Sequence, residues 1–184
     1  MTEIRSFVAV DIPAGMRDDI ARIQREIATE GLRLVRPELV HVTLKFLGNV
    51  PEEQIERIAE TLRSIRSAPF DASLKGMGSF PGRSIRVVWL GLEGNFPALY
   101  QAVENALAPF GFERDKRGFS PHVTLGRVKS PSTEVSKQIS RKISQIGDVD
   151  LGSFPVDHFL LKKSTITSGG PIYEDLAEFS LTDH

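Results

Sequence analysis

The chain has 184 residues, no cysteine, and a net charge of −1 from 23 Lys and Arg against 24 Asp and Glu. These figures exclude disulfides and cysteine-based metal or nucleophile chemistry, and they confine any nucleic-acid or phosphate site to a local patch. No apolar run approaches the ~20 residues that a membrane-spanning helix needs, so we expect a cytoplasmic protein with no membrane partner.

The first half of the chain alternates strand-like and helix-like segments. The apolar and β-branched run IRSFVAVDI predicts a strand from Ile4, and the stretch from Met16 to Glu30 predicts a helix. A second strand is predicted in ELVHVTLKF, residues 38–46. The polar, amphipathic segment that begins at Pro51 predicts another helix, because proline is common in the first turn.

The second half of the chain repeats this order. The run IRVVWLGLE predicts a strand from Ile85, residues 97–111 predict a helix, and FSPHVTLGR (119–127) predicts a strand. A helix with a Ser-Thr cap follows over residues 132–147. Two strand-like runs, DHFLLKKSTI and YEDLAEFSL, come last and are separated by the turn sequence Gly169-Gly170-Pro171.

The four letters HVTL occur twice, and His122 lies 81 positions after His41. From average residue usage, such a recurrence is expected by chance in on the order of one chain in a thousand. Apolar helix positions coincide at the same offset, for example Ile58 with Ile139. We therefore interpret the chain as an internal duplication.

The half-polar strands favour an α+β fold over a parallel doubly wound sheet, and the chain has no glycine-rich nucleotide loop. We predict one bilobal domain, in which two similar lobes of antiparallel sheet with flanking helices are related by a pseudo-two-fold axis. The active-site cleft is expected between the lobes. The domain spans residues 1–184 and comprises approximate repeats 4–80 and 85–161, followed by C-terminal strands in 162–184.

Side chains alternate along a strand, so each HVTL places an imidazole and a hydroxyl on one face, about 7 Å apart. The pairs are His41 with Thr43, and His122 with Thr124. Two imidazoles can hold opposite protonation states near neutrality, as a paired general base and general acid require, and two hydroxyls can donate to phosphoryl oxygens. A single His on a strand is usually structural, but repetition of the polar face in both copies indicates function.

The motifs HVTLKFLG and SPHVTLGR resemble those of the two-histidine phosphoesterase superfamily, and most closely its RNA 2′,3′-cyclic phosphodiesterases, long called 2′-5′ RNA ligases. The resemblance extends from FVAVDIP to GGPIYEDL. It implies an enzyme without metal or cofactor that hydrolyses an RNA-terminal 2′,3′-cyclic phosphate to a 2′-phosphomonoester. It also implies that His41 is the proton donor, that His122 is the proton acceptor, and that Thr43 and Thr124 hold the phosphate. From the residues alone the two imidazoles are interchangeable.

Three further residues are candidates for substrate binding. Lys45 shares the face of His41 by strict alternation and could neutralise phosphate charge, or could be a solvated lysine. Alternation would turn Arg127 toward the core, but a bulge at Gly126 could redirect it, and the resemblance adds that the family often has a basic residue there. Tyr173 could stack on a base or simply begin a strand.

We expect the partners to be RNA ends with a 2′,3′-cyclic phosphate, tRNA fragments among them, and we expect a monomer. The basic residues of ERDKRGFSPH and the pair Lys162-Lys163 could guide such an end, although solvated charge is the commoner explanation. Three alternatives stay open: reversible 2′-5′ ligation of tRNA halves, a non-catalytic RNA- or nucleotide-binding module, and a metallohydrolase. The last is disfavoured because the cleft-facing motif positions carry no Asp or Glu.

Overall fold

The computed structural model describes residues 1–81 and 84–183. The strands within these ranges are β1 (Glu3–Asp11), β2 (Leu32–Leu34), β3 (His41–Pro51), β4 (Phe70–Phe80), β5 (Val87–Glu93), β6 (His122–Val128), β7 (Asp150–Val156), β8 (His158–Thr167) and β9 (Gly170–Ser180). The α-helices are α1 (Arg17–Ile27), α2 (Glu52–Arg63), α3 (Phe96–Leu107) and α4 (Thr133–Ile146).

Local sequence accounts for the helix boundaries. The Ser132 hydroxyl accepts a hydrogen bond from the Val135 N–H at 3.2 Å, which satisfies one of the free donors in the first turn of α4. Helix α4 ends before Gly147, which has a φ of 72° that other residues rarely adopt. None of the described helices is long and apolar enough to cross a membrane.

The strands form one antiparallel sheet in the order β7-β4-β5-β6-β3-β1-β8-β9, and β2 pairs with β6. Strands β3 and β6 are joined at the centre through the pair Val42 and Val123, which are equivalent residues of the two HVTL motifs. We call β3, β1, β8 and β9 the first lobe, and β6, β5, β4 and β7 the second lobe. The predicted α+β fold with antiparallel lobes is confirmed.

The lobes and the sequence repeats do not contain the same strands. Strand β4 belongs to the first half of the sequence, yet it pairs with β5 and β7 in the second lobe, whereas β8 returns to pair with β1. The helices also pair across the two halves of the sequence: α1 packs against α4, and α2 packs against α3. This crossing of the halves holds the two motif strands side by side.

The helices cover one face of the sheet, and the other face carries the cleft. The Val and Leu side chains of both motifs belong to the core that the sheet and helices share, and each is at most 3% exposed: Val42, Leu44, Val123 and Leu125. The His and Thr side chains of the motifs lie on the opposite face, as the period of two along a strand requires.

Candidate active site

A cleft of about 700 Å³ lies where β3 and β6 meet. The four motif side chains that alternation predicts on one face all line it: His41, Thr43, His122 and Thr124. The remaining walls come from β1, from residues 33–40 and from the β8–β9 hairpin. Among the described residues, no group of three or more His, Asp and Glu side chains is placed to hold a metal ion.

The two imidazoles are anchored in the same way. The Nδ1–H of His41 donates to the carbonyl of Leu39 at 2.8 Å, and the Nδ1–H of His122 donates to the carbonyl of Ser120 at 2.7 Å. Each bond fixes the tautomer and leaves Nε2 available for proton transfer. The Nε2 of His41 lies 2.9 Å from the Thr43 hydroxyl, which donates to the neutral ring and accepts from the imidazolium.

Aromatic rings hold each imidazole in place. The nearest ring centroids are 5.0 and 5.4 Å from that of His41, and 5.4 and 6.4 Å from that of His122. These separations are typical of packed aromatic pairs, so both rings have few orientations open to them. The rings beside His41 are Phe7 and Tyr173, and those beside His122 are Phe80 and Trp89.

Burial lowers the pKa of His41, because the charged imidazolium loses its hydration in the cleft. The Leu39 carbonyl and the Asp11 carboxylate oppose this effect, whereas the positive charges of Lys162 and Arg127 add to it. Without a ligand, the neutral form of His41 is therefore favoured. A phosphate anion beside the ring would favour the imidazolium.

A β-bulge in β6 brings Arg127 into the cleft. Along β5, Val88 pairs with Gly126 and Trp89 pairs with Thr124, so Leu125 is the extra residue. Beyond the bulge the alternation is inverted, and Arg127 shares the face of the imidazoles. Arg127 thus lies on the cleft face, as a bulge predicts, but the extra residue is Leu125 rather than Gly126.

The bulge also frees the carbonyl of Leu125, which finds other partners. It accepts hydrogen bonds from the Val35 N–H at 2.9 Å and from the buried Gln24 side chain at 3.0 Å. The bulge favours glycine at position 126, because an added Cβ would lie 2.9 Å from Leu32 Cδ1 and 3.1 Å from the backbone oxygen of Arg33 on β2. The bulge is thus supported from α1 and β2.

The expectation that Lys45 faces the cleft is wrong. Strand β3 has the same bulge, since Val8 pairs with Lys45 and Ala9 pairs with Thr43, which makes Leu44 the extra residue. The bulge turns Lys45 into the protein, where its ammonium lies 2.6 Å from Glu104 Oε1 on α3 and 3.0 Å from the carbonyl oxygen of Glu113.

Comparison with known proteins places this geometry in a family. The model of the LigT like phosphoesterases matches the chain twice, over residues 10–89 and 92–173. The chain belongs to the LigT-like phosphoesterase family. It is 38% identical over 96% of its length to all of the RNA 2′,3′-cyclic phosphodiesterase of Methanocaldococcus jannaschii. It is 41% identical over 96% of its length to the enzyme of that name from Archaeoglobus fulgidus, covering 99% of that protein.

Solved structures agree with this membership. A Thermus thermophilus protein has a TM-score of 0.84 at 30% identity, with 98% of this chain and 100% of that chain covered. The Escherichia coli LigT complexed with 3′-AMP has a TM-score of 0.78 at 27% identity, with 98% of this chain and 99% of that chain covered.

Sequence reasoning missed Phe46 in this LigT-like phosphoesterase. Phe46 lines the cleft and is 65% exposed, because the bulge at Leu44 places it on the face that alternation assigns to Lys45. The duplication could have revealed Phe46, because Phe46 occupies the position equivalent to that of Arg127 at the offset of 81 residues. A bulge inferred in the second motif therefore predicts one in the first.

Tyr173 lines the cleft as predicted, with its ring edge against His41 and Phe7. Burial raises the pKa of Tyr173, so its hydroxyl stays protonated as a hydrogen-bond donor near neutral pH.

Lys162 is neither free to guide RNA nor the solvated charge that was the commoner explanation. Its ammonium is buried between Asp11 at 3.0 Å and Asp175 at 2.9 Å, while Lys163 lies 3.8 Å from Glu174. The basic side chains of residues 114–117 do not line the cleft either. Its two ion pairs thus remove Lys162 from the candidates for phosphate binding, and Lys163 does not line the cleft.

Proposed function

We propose that this LigT-like phosphoesterase hydrolyses RNA-terminal 2′,3′-cyclic phosphate to a 2′-phosphomonoester by acid–base catalysis between His41 and His122, without a metal. The observation that carries the proposal is the pair of identically anchored imidazoles in one cleft. The relatives support the substrate, because each bears the name RNA 2′,3′-cyclic phosphodiesterase.

In the proposed reaction, His122 Nε2 accepts a proton from the attacking water as the water oxygen bonds to phosphorus. The bond between phosphorus and the 3′ oxygen breaks, and His41 Nε2 gives that oxygen a proton. Thr43 and Thr124 donate hydrogen bonds to the non-bridging oxygens as negative charge builds on them. The Arg127 guanidinium stabilises the same charge.

An asymmetry beside the imidazoles supports His41 as the acid. Asp11 is the cross-strand partner of His41, and its negative charge favours the imidazolium. The cross-strand partner of His122 is Gly91, so the second half does not repeat this carboxylate. The negative charge of a phosphate in the cleft opposes the lowering of the His41 pKa by burial and so favours the imidazolium.

Phe46 and Tyr173 are suited to the nucleoside. Both rings line the cleft on the His41 side, and an exposed aromatic ring can stack on any base. The E. coli LigT has been crystallised in complex with 3′-AMP, so a related protein binds a nucleotide. Action as a monomer in the cytoplasm, with tRNA fragments among the substrates, stays a prediction.

The test is product analysis on a short oligoribonucleotide that ends in a 2′,3′-cyclic phosphate, followed by ³¹P NMR. We expect a 2′-phosphomonoester from the wild-type protein and a rate lower by roughly 10²–10⁴ from His122→Ala. A 3′-phosphate product would mean that the 2′ oxygen leaves, and an unchanged substrate would refute the proposed activity.

A further inference from the structure

The cleft is unequal on its two sides. The second lobe contributes His122, Thr124 and Arg127, whereas the rest of the cleft extends over β1, residues 33–40 and the β8–β9 hairpin. A 2′,3′-cyclic phosphate stands at the 3′ end of RNA, so the strand continues only from the 5′ oxygen of the terminal ribose. The room for a longer substrate lies over the first lobe and residues 33–40.

Two arginines stand side by side on this path. Arg33 of β2 and Arg127 of β6 are direct cross-strand partners, and both are exposed and line the cleft. Like charges opposite each other on a sheet are destabilising. Within residues 1–81 and 84–183, neither has a carboxylate at ion-pair distance, whereas Arg36 lies 3.8 Å from Glu38. Phosphate groups bound beside the two guanidinium groups would relieve this repulsion.

The two members of this pair face different parts of the cleft. Arg127 follows His122 and Thr124 on β6 and lines the cleft with them. Arg33 extends instead toward the β8–β9 hairpin, where a Cβ added to Gly170 would lie 3.7 Å from its Nη2. The hydroxyls of Ser164 and Thr167 line the same end of the cleft.

We propose that Arg33 binds the phosphodiester immediately 5′ of the terminal nucleotide, so that the enzyme selects an RNA strand over a cyclic mononucleotide. This inference rests on the proposed function, which places the terminal phosphate between the two imidazoles. A guanidinium suits the role because its planar fork can donate two parallel hydrogen bonds to the two free oxygens of a phosphodiester.

The experiment compares kcat/KM for three substrates: a cyclic mononucleotide, a dinucleotide with a 2′,3′-cyclic end, and the same dinucleotide with an uncharged methylphosphonate linkage. We expect the wild type to prefer the charged dinucleotide over the uncharged one roughly tenfold, the size of one partly exposed charge-assisted contact. Arg33→Gln should bring this ratio close to one. It should also weaken the salt dependence for the charged dinucleotide. The slope of log kcat/KM against log salt concentration should be smaller in magnitude by about 0.7.

Arg22→Gln is the matched control, because Arg22 is an exposed arginine of α1 that lies 3.2 Å from Asp19 and does not line the cleft. It should keep the wild-type ratio. Equal wild-type rates on both dinucleotides, or a ratio that Arg33→Gln leaves unchanged, would overturn the inference.

Failure of the proposed function would look different, because the wild type would then hydrolyse none of the three substrates. In that case, we test whether Arg33 binds the linkage by measuring the affinity of labelled dinucleotides that end in a 2′-phosphate, using fluorescence anisotropy. Tighter binding of the charged linkage that Arg33→Gln abolishes would support the site, and equal binding of the two linkages would overturn it.

Discussion

Replacing Lys45 with Met tests whether the bulge in β3 makes this lysine structural. The ammonium lies 2.6 Å from Glu104 Oε1, and the two side chains are only 5% and 4% exposed. Met keeps most of the volume but leaves Glu104 buried, with the exposed Arg114 guanidinium 3.9 Å away as its remaining cation. Breaking a buried ion pair in this way costs about 3–5 kcal/mol. At ~2–4 °C per kcal/mol for a chain of this size, Tm should fall by roughly 6–20 °C.

The assay is urea unfolding followed by the fluorescence of Trp89, the single tryptophan of the chain. The double variant Lys45→Met/Glu104→Leu should recover most of the loss, because a buried pair is often replaceable by apolar residues at little cost. Lys163→Met is the matched control: its ammonium is 39% exposed and 3.8 Å from Glu174, so it should cost less than about 1 kcal/mol. A Lys45→Met protein of nearly normal stability but raised KM would refute the buried pair and make Lys45 a substrate ligand.

The remaining predictions concern catalysis and pH. His41→Ala and His122→Ala should each lower kcat/KM by roughly 10²–10⁴, and Thr43→Ala and Thr124→Ala by roughly 10–10³, with the fold retained; equal losses from all four would indicate a cleft that only binds. Activity should persist in excess EDTA, because a hard cation needs oxygen anions that the motif faces do not offer, and a metal-restored activity would contradict this. Because burial lowers the pKa of His41, NMR should show it titrating below about 6.5 in the free protein, and its contribution to stability should be lost as the pH falls below that value. A His41 midpoint at or above about 6.5 would contradict the burial argument.

Features encoded locally were predictable from the sequence. The period of two along a strand places His41 and Thr43 on one face, and the offset of 81 residues transfers that assignment to His122 and Thr124. The α+β fold followed from half-polar strands that alternate with amphipathic helices. The structure brings these four side chains together in one cleft, as the duplication indicates.

Features that depend on distant strands were not predictable in the same way. The bulges at Leu44 and Leu125 arise from the pairing of β3 with β1 and of β6 with β5. Each bulge reverses the alternation of the residues that immediately follow it, which is why Lys45 is buried and Phe46 is not. The location of Arg33 also depends on pairing, because β2 is only three residues long and is positioned by β6.

The duplication alone cannot assign the two proton-transfer roles, because hydrolysis needs one acid and one base from two equivalent motifs. An in-line displacement places the attacking and leaving oxygens on opposite sides of phosphorus. The leaving 3′ oxygen stays attached to the ribose, so it lies on the side that holds the nucleoside. Phe46 and Tyr173 line the cleft on the His41 side, whereas the counterpart of Phe46 beside His122 is the cationic Arg127. A nucleoside stacked on those rings would thus place its 3′ oxygen near His41, and the attacking water would lie on the other side of phosphorus, near His122. This arrangement favours His41 as the acid and His122 as the base.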